Sequence, residues 1–132
     1  MKTLIVYYSK SGNTRKVAEK VRTALSCDLD EIQYDQAAHA ISSKLNPADY
    51  DRVILMCPIW GFRLSEPMAL YLNQKKANIN RCRLAVTCGS MGLRSCVSNC
   101  EKILGKSPET AVKITAKTIA NDTFSIAEII AK

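Results

Sequence analysis

Short apolar runs alternate along the chain with longer amphipathic segments, and this alternation predicts its secondary structure. Runs rich in β-branched and aromatic residues predict strands, whereas apolar residues spaced by three and four positions predict helices. The predicted strands are 4–8, 29–34, 53–57, 84–88 and 112–119, and the predicted helices are 14–25, 65–74, 93–104 and a closing helix after residue 122. Strands and helices that alternate in this way form βαβ units. We therefore expect an α/β fold with a parallel sheet and helices on both faces.

Capping residues mark several of the predicted helix ends. Ser65 precedes an acidic residue and a proline, which is the order of an N-cap, an acidic first turn and a proline at a helix start. Gly105 is expected to end the helix that begins at Leu93. Asp122 or Thr123 is expected to cap the closing helix. Three isoleucines are predicted to point inward from that helix: Ile126, Ile129 and Ile130.

The segment between the first strand and the first helix carries the most specific chemistry. Residues 9–14 read Ser-Lys-Ser-Gly-Asn-Thr and place four hydroxyl or amide side chains around Gly12. Backbone N–H groups and the positive end of the helix dipole converge there, so the loop favours an anion, in particular a phosphate. The alternative is a simple helix cap, for which one such side chain is enough. The loop matches neither the nucleotide triphosphate loop nor the dinucleotide fingerprint.

Composition changes this picture little and predicts one domain over residues 1–132. The hydrophobic fraction is 47% and the charged fraction 23%, as in ordinary globular proteins. Neither a signal peptide nor a run long enough to span a membrane is recognised. The six cysteines are scattered through apolar patterns rather than spaced as a disulfide framework. The expected location is therefore the reducing cytoplasm, without a membrane association.

The net charge of +7 is unevenly distributed. Residues 1–26 carry six basic and one acidic side chain (+5), residues 27–51 carry one and six (−5), and residues 52–132 carry twelve and five (+7). A basic surface can attract acidic proteins, anionic small molecules or nucleic acid. The basic residues form no dense run and no nucleic-acid motif, so an acidic protein or a small molecule is favoured over nucleic acid. A solvated surface without a partner is the alternative.

Three loops are expected to meet at one edge of the sheet, because ligands of parallel α/β sheets bind beyond the carboxyl ends of the strands. They follow Tyr8, Cys57 and Cys88. The second loop reads Pro-Ile-Trp-Gly-Phe-Arg over 58–63, and the third reads Gly-Ser-Met-Gly over 89–92. Together the three loops resemble those of the flavodoxin family, and the resemblance covers nearly the whole chain.

The resemblance implies a three-layer flavodoxin-like sandwich, a five-stranded parallel sheet of order 2-1-3-4-5, and FMN as the cofactor. The first loop would hold the phosphate of FMN. Trp60 would stack on the flavin while the Gly61 peptide faces flavin N5, and the Cys88 loop would line the pyrimidine end. The expected FMN-binding residues are Ser9, Lys10, Ser11, Gly12, Asn13, Thr14, Pro58, Ile59, Trp60, Gly61, Phe62, Cys88, Gly89, Ser90, Met91 and Gly92.

The requirements of the isoalloxazine ring give a separate argument. A large flat apolar ring with a polar rim needs an aromatic or methionine face and backbone groups at its edge. Trp60 is the only tryptophan, and it lies in a loop that contains Pro58 and Gly61 rather than on a helical stripe. Trp60 could instead be a core or lid residue, and Met91 could either cover the ring or pack in the core.

Two departures from the family pattern affect the expected chemistry. The stretches that usually carry acidic residues and a second aromatic here hold Phe62, Arg63, Ser90, Met91, Gly92 and Arg94. Neutral and basic groups near the flavin are expected to raise the potential of its second reduction step. The same departures are expected to leave one stacking face of the ring open. The resemblance implies electron transfer, one or two electrons at a time, with a redox partner protein or a small-molecule acceptor. It leaves open whether the chain is a carrier or a small NAD(P)H oxidoreductase.

Two other functions are compatible with the sequence. Residues 88–95 fit the Cys-x5-Arg-Ser loop of cysteine phosphatases, in which Cys88 would be the nucleophile and Arg94 would clamp phosphate. The same Cys-x5-Arg spacing recurs at 57–63, and the usual preceding histidine is replaced by Thr87. The second alternative is a flavin-free binding module of the same fold.

The remaining thiols and the single histidine predict no site. Cys96 and Cys100 are expected to be buried thiols rather than metal ligands, because no histidine accompanies them at ligand spacing. His39, the only histidine, is expected to be exposed in a polar loop.

Overall fold

The computed structural model describes residues 1–132 as a parallel sheet covered by helices on both faces. Its strands are β1 (Thr3–Tyr7), β2 (Asp28–Glu31), β3 (Gln33–Asp35), β4 (Ala40–Ser42), β5 (Arg52–Trp60), β6 (Arg63–Leu64), β7 (Arg81–Cys88) and β8 (Ala111–Thr115). Its helices are α1 (Asn13–Leu25), α2 (Glu66–Lys75), α3 (Leu93–Leu104), α4 (Ala116–Ala120) and α5 (Ala127–Ile130), with 3-10 turns at Pro47–Asp49 and Lys76–Asn78.

The order of the parallel strands confirms the predicted topology. Neighbouring strands follow the order β2-β1-β5-β7-β8, which is 2-1-3-4-5 when the five parallel strands are counted along the chain. The two-residue β6 adds antiparallel pairing at the end of β5. This order places the carboxyl ends of β1, β5 and β7 side by side at one edge.

The core has two halves, one on each face of the sheet. Successive strand residues point to opposite faces, so Leu4 and Val6 join one half while Ile5 and Tyr7 join the other. Buried residues of α2 and α3 complete the first half, and those of α1 together with the segment after β8 complete the second. The molecule is therefore the expected three-layer sandwich.

The predicted strand 29–34 is wrong in its extent, because the chain leaves the sheet after Glu31. Residues 33–35 pair instead with 40–42 in a separate antiparallel hairpin, β3–β4. The buried carboxylate of Asp30 accepts the N–H groups of Lys44 and Leu45 at 2.9–3.1 Å and so anchors the chain after the hairpin to β2. This tertiary contact, which no local pattern reveals, favours the hairpin over a longer strand.

The predictions for the last thirty residues are partly wrong. The strand predicted over 112–119 ends at Thr115, whose side chain accepts the N–H of Thr118 and caps α4. Asp122 takes a left-handed φ of +56° just after α4, so neither it nor Thr123 caps the closing helix. That helix spans only Ala127–Ile130, and of its three predicted inward residues Ile126 and Ile129 are buried and Ile130 is half-buried.

The predicted boundaries of the other helices agree closely with the structure. Helix α3 covers the predicted residues 93–104, and Gly105 ends it with a φ of +77°. Ser65 occupies the N-cap position of α2, although its side chain makes no capping hydrogen bond. No helix combines the length and the apolar character that crossing a membrane requires.

Candidate functional site

The loop between β1 and α1 presents backbone N–H groups without side-chain caps. Gly12 is the N-cap residue of α1, and no side chain caps the N–H groups of the first helical turn, which begins at Asn13. The hydroxyl of Ser9 accepts the N–H of Gly12 at 3.1 Å, so it shapes the loop rather than caps the helix. The first N–H groups of a helix, here from Asn13 onward, have no partner within the helix. Simple capping therefore does not account for the polar side chains of this loop.

Gly12 also leaves open space at the centre of the loop. Its φ of +98° is a left-handed conformation that strains any residue with a side chain, and a methyl group placed on it would meet no atom within 4 Å. Lys10 and Ser11 are exposed beside it. The result is an open cradle of N–H groups at the positive end of a helix, which suits an anion.

Thr14 lies below this cradle and links it to a neighbouring strand. Its hydroxyl is 2.8 Å from the hydroxyl of Thr87, and both residues are buried. The side chain of Thr14 is thus already hydrogen-bonded within the protein, and its backbone N–H is the group available to a ligand. Thr87 was not among the predicted site residues, although a threonine among the apolar residues of a central strand is a sign of a buried polar contact.

The segment that was expected to be a loop over 58–63 is largely a strand. β5 continues to Trp60, and Ile59 pairs with Leu64 as the chain returns in β6. Gly61 and Phe62 connect the two strands with φ values of +58° and +63°. Two left-handed residues are typical of the tight type I′ hairpin, which holds the preceding residues extended. Trp60 therefore lies at a paired strand end rather than in a free loop.

Trp60 packs in a cluster of three aromatic rings at this edge. Its ring centroid lies 5.7 Å from that of Tyr8 at an interplanar angle of 85°, and 6.4 Å from that of Tyr34. Tyr8 and Tyr34 are also 5.7 Å apart in an edge-to-face arrangement. The ammonium group of Lys10 lies 5.7 Å from the Trp60 ring centroid and links the cluster to the cradle. Sequence reasoning missed Tyr34 because the hairpin brings it to this edge.

The carboxylate of Glu66 is hydrogen-bonded to one member of the aromatic cluster, Tyr34. The hydroxyl of Tyr34 donates to Glu66 Oε1 at 2.6 Å, and His39 Nδ1 lies 2.7 Å from the same oxygen. The hydrogen bond to Glu66 raises the pKa of Tyr34 to about 12. The bonds from Tyr34 and His39 lower the pKa of Glu66. His39 is exposed, as predicted, but it is paired with this carboxylate.

The third loop contacts the β5–β6 turn. Gly92, the N-cap residue of α3, has a φ of +118°. A methyl group placed on it would lie 3.2 Å from Ile59 Cδ1 and 3.4 Å from Phe62 Cδ1. The ammonium group of Lys113 donates to the carbonyl of Ser90 at 2.7 Å and holds the other end of the loop. The second and third segments therefore form one continuous surface, with Gly89 exposed on it.

Large apolar side chains are exposed at this surface. Phe62 is 57% exposed and Met91 is 67% exposed, and apart from Met1 they are the only large hydrophobic residues so exposed in the chain. An exposed apolar patch bordered by polar groups marks a binding surface. Pro58 and Ile59 are half-buried beneath it and support it rather than extend outward.

The thiols do not show the chemistry of a cysteine phosphatase. Burial raises the pKa of Cys88, and Lys113 opposes this shift less strongly, whereas a phosphatase nucleophile requires a lowered pKa. Arg94 is exposed on α3. All six cysteines are unpaired, and Cys96 and Cys100 are fully buried, which confirms their prediction as buried thiols.

Comparison with known proteins gives a consistent family and fold. Residues 4–121 match the model of the flavodoxin domain. A flavoprotein from Lactobacillus acidophilus solved in complex with FMN superposes with a TM-score of 0.76 at 20% identity, over 92% of this chain and 97% of that chain. A Trp repressor binding protein from Bacillus subtilis gives a TM-score of 0.68 at 17% identity, over 99% of both chains. Oxidised flavodoxin 1 from Bacillus cereus gives 0.59 at 18%, over 92% and 91%. No curated protein sequence matches this chain significantly.

Proposed function

The chain belongs to the flavodoxin domain family, and from this premise we propose that it binds FMN at the carboxyl edge of its sheet. One observation carries the proposal: an open cradle of N–H groups around Gly12 lies at the same edge as an exposed apolar surface formed by Phe62 and Met91. FMN combines an anionic phosphate with a flat, mostly apolar ring. The FMN complex of the Lactobacillus acidophilus flavoprotein, which shares the fold, supports the same cofactor.

The cradle over residues 9–14 would hold the phosphate. Helix α1 begins at Asn13, beside the open space at Gly12, and the exposed Lys10 adds a positive charge. Ser9 is already occupied as the acceptor of the Gly12 N–H, whereas the hydroxyl of Ser11 is exposed and free to donate. The phosphate would therefore be bound mainly by backbone groups, Ser11 and Lys10, with Asn13 at the first turn of the helix.

The aromatic cluster and the third loop would hold the ring. Trp60 is fixed by Tyr8 and Tyr34, so it offers a ring face at little entropic cost. The backbone of the Cys88–Gly92 segment supplies donors and acceptors for the polar rim. When bound, FMN would supply reversible one- and two-electron chemistry, while these residues bind it, orient it and exclude water from the covered face.

Binding is tested by titrating the purified chain with FMN and with riboflavin, which lacks the phosphate. Trp60 is the only tryptophan, so quenching of its fluorescence reports ligand at the ring site directly. Loss of two charge-assisted hydrogen bonds should weaken riboflavin binding by about 100-fold or more. Ser11→Ala should reduce the difference in affinity between FMN and riboflavin. Ser107→Ala, a control in a distant loop, should leave that difference unchanged. Equal affinity for both ligands would refute phosphate recognition by this loop.

We further propose that the bound flavin transfers electrons to a redox partner protein or a small-molecule acceptor. The exposed ring-side surface around Phe62 and Met91 is where a partner could approach. Reduction of the FMN-loaded protein with dithionite, followed by mixing with cytochrome c, tests transfer to an acceptor. A parallel assay for NADPH oxidation separates a carrier, which does not accept hydride from NADPH, from a reductase. Reduced protein that reacts with no acceptor other than oxygen would contradict the electron-transfer role.

A further inference from the structure

The edge of the sheet opposite the candidate flavin site contains a cavity of about 620 Å³. It lies at the amino ends of β1, β5 and β7, and it is lined by the basic side chains of Lys2, Arg52, Arg81 and Arg83. Leu25 and Ile130 form an apolar flank. The six residue-to-residue steps from Thr3 to Ser9 separate the two edges by roughly 20 Å at about 3.3 Å per step, so a ligand here cannot touch a flavin at the other edge.

Two of these arginines are buried without a counter-charge. Arg52 and Arg83 are each only 7% exposed. Arg52 donates to the hydroxyl of Thr3 at 3.3 Å and Arg83 to the carbonyl of Ile129 at 2.6 Å, but the Nε of each arginine has no partner. Neither has a carboxylate within 4 Å, because the three ion pairs of the chain involve other residues.

Neither of the nearby acidic residues forms an ion pair with Arg52 or Arg83. Asp28 accepts the hydroxyl of Tyr50 at 2.7 Å, and Glu109 pairs with Arg81 at 2.6 Å. Burial lowers the pKa of Arg52, and the nearby charge of Arg83 adds to this shift. Burying two like charges without a counter-ion costs free energy unless a ligand supplies the opposite charge. A guanidinium group presents a fork of N–H donors that matches the oxygens of phosphate.

We propose that this cavity binds a small phosphate-bearing molecule, with the phosphate between Arg52 and Arg83 and its organic part against Leu25 and Ile130. A phosphate alone would occupy a small part of the volume, and the apolar flank suits the carbon-rich part of a larger ligand. The site is independent of FMN. Its ligand would stabilise the folded chain rather than take part in electron transfer.

Calorimetric and thermal-unfolding titrations with ADP, inorganic phosphate and citrate test this site, each performed with and without saturating FMN. We expect ADP to bind, to raise the unfolding temperature and to leave the FMN-quenched fluorescence of Trp60 unchanged. Arg52→Gln and Arg83→Gln should each weaken ADP binding by about tenfold or more, while Arg22→Gln, an exposed arginine on α1, should not.

Several results would overturn the proposal. They are no binding of ADP to the wild-type chain, displacement of FMN by ADP, citrate binding more tightly than both phosphate compounds, or unchanged ADP affinity in the arginine variants. Should the glutamine variants fold poorly, Arg52→Lys keeps the charge but loses the fork, and it should still weaken ADP binding. Broadening of the phosphorus NMR signal of ADP by the wild-type chain, absent with Arg52→Lys, gives an independent measurement.

Discussion

Replacing Gly12 or Gly92 with alanine should distinguish a glycine needed for ligand binding from a glycine needed for packing. The two glycines have similar backbone conformations, with φ of +98° and +118°, and each is the N-cap residue of a long helix. A left-handed conformation costs a residue with a side chain about 1–2 kcal/mol. Alanine also reduces the conformational freedom of the unfolded chain, which offsets about 0.4–1 kcal/mol of that cost. The backbone contribution should therefore be about 1 kcal/mol in both variants.

The surroundings of the two new methyl groups differ. At Gly12 the methyl group meets nothing within 4 Å, whereas at Gly92 it lies 3.2 Å from Ile59 Cδ1 and 3.4 Å from Phe62 Cδ1. Overpacking of this kind costs about 1–3 kcal/mol, and Ile59 is only half-buried, so the lower end applies. We expect Gly92→Ala to lose about 2 kcal/mol of unfolding free energy and Gly12→Ala about 1 kcal/mol.

Urea and thermal unfolding of the flavin-free chain measure this difference. For 132 residues at about 2.1 cal/mol/K per residue, each kcal/mol corresponds to a shift of about 4 °C in the unfolding temperature. FMN affinity should show the opposite order, because the methyl group of Gly12→Ala fills the cradle. Equal stability of the two variants would refute the packing argument at Gly92. FMN affinity of Gly12→Ala equal to that of the wild type would refute the assignment of the cradle to phosphate.

Three further outcomes are expected. Burial raises the pKa of Cys57 and of Cys100 to about 12. Thiols of the unfolded chain lose their protons near pH 8.5, so the unfolding free energy should fall as the pH rises above that value. The expected fall is about 1.4 kcal/mol per pH unit for each thiol. Urea unfolding at pH 8 and 10 checks this, and equal unfolding free energies at the two pH values would contradict it. Asp30→Ala should cost about 2–3 kcal/mol because it removes the buried carboxylate that accepts the N–H groups of Lys44 and Leu45, whereas Asp35→Ala, which removes an exposed carboxylate, should cost less than about 1 kcal/mol in the same assay. With FMN bound, Lys113→Gln should lower the potential of the second reduction step by tens of millivolts, as measured by redox titration at low salt; an unchanged or higher potential would remove Lys113 as a tuning charge.

Local patterns predicted the sheet well because each parallel strand is a short buried run with its own flanking signals. The strand order came from the resemblance, and the structure confirms it. The errors occur where distant residues decide the local structure. Asp30 binds N–H groups fourteen and fifteen residues away, and β5 continues past Pro58 because the chain returns to pair with Ile59 and Trp60. No window of neighbouring residues contains that information.

Sequence analysis identified only part of the candidate site, because distant residues also decide which side chains meet there. Polar residues concentrated around Gly12 identify the cradle from sequence alone, and a single tryptophan beside a glycine draws attention to Trp60. Tyr34 reaches the aromatic cluster only through the hairpin, and Arg52 and Arg83 look like ordinary strand-end charges until the sheet places both beside one cavity. Their partners, or lack of partners, depend on the tertiary structure.

The hydroxyl pair formed by Thr14 and Thr87 connects the two ends of the proposed cofactor site through one buried hydrogen bond. Thr14 lies in the first turn of α1, and Thr87 directly precedes Cys88 and the third loop. A shift of the first turn on phosphate binding would pull on the strand that carries the ring-side loop. Replacing one of the two threonines with valine would leave the other hydroxyl buried without its partner. Such a variant should therefore show how strongly phosphate binding at the first loop affects ring binding at the third loop.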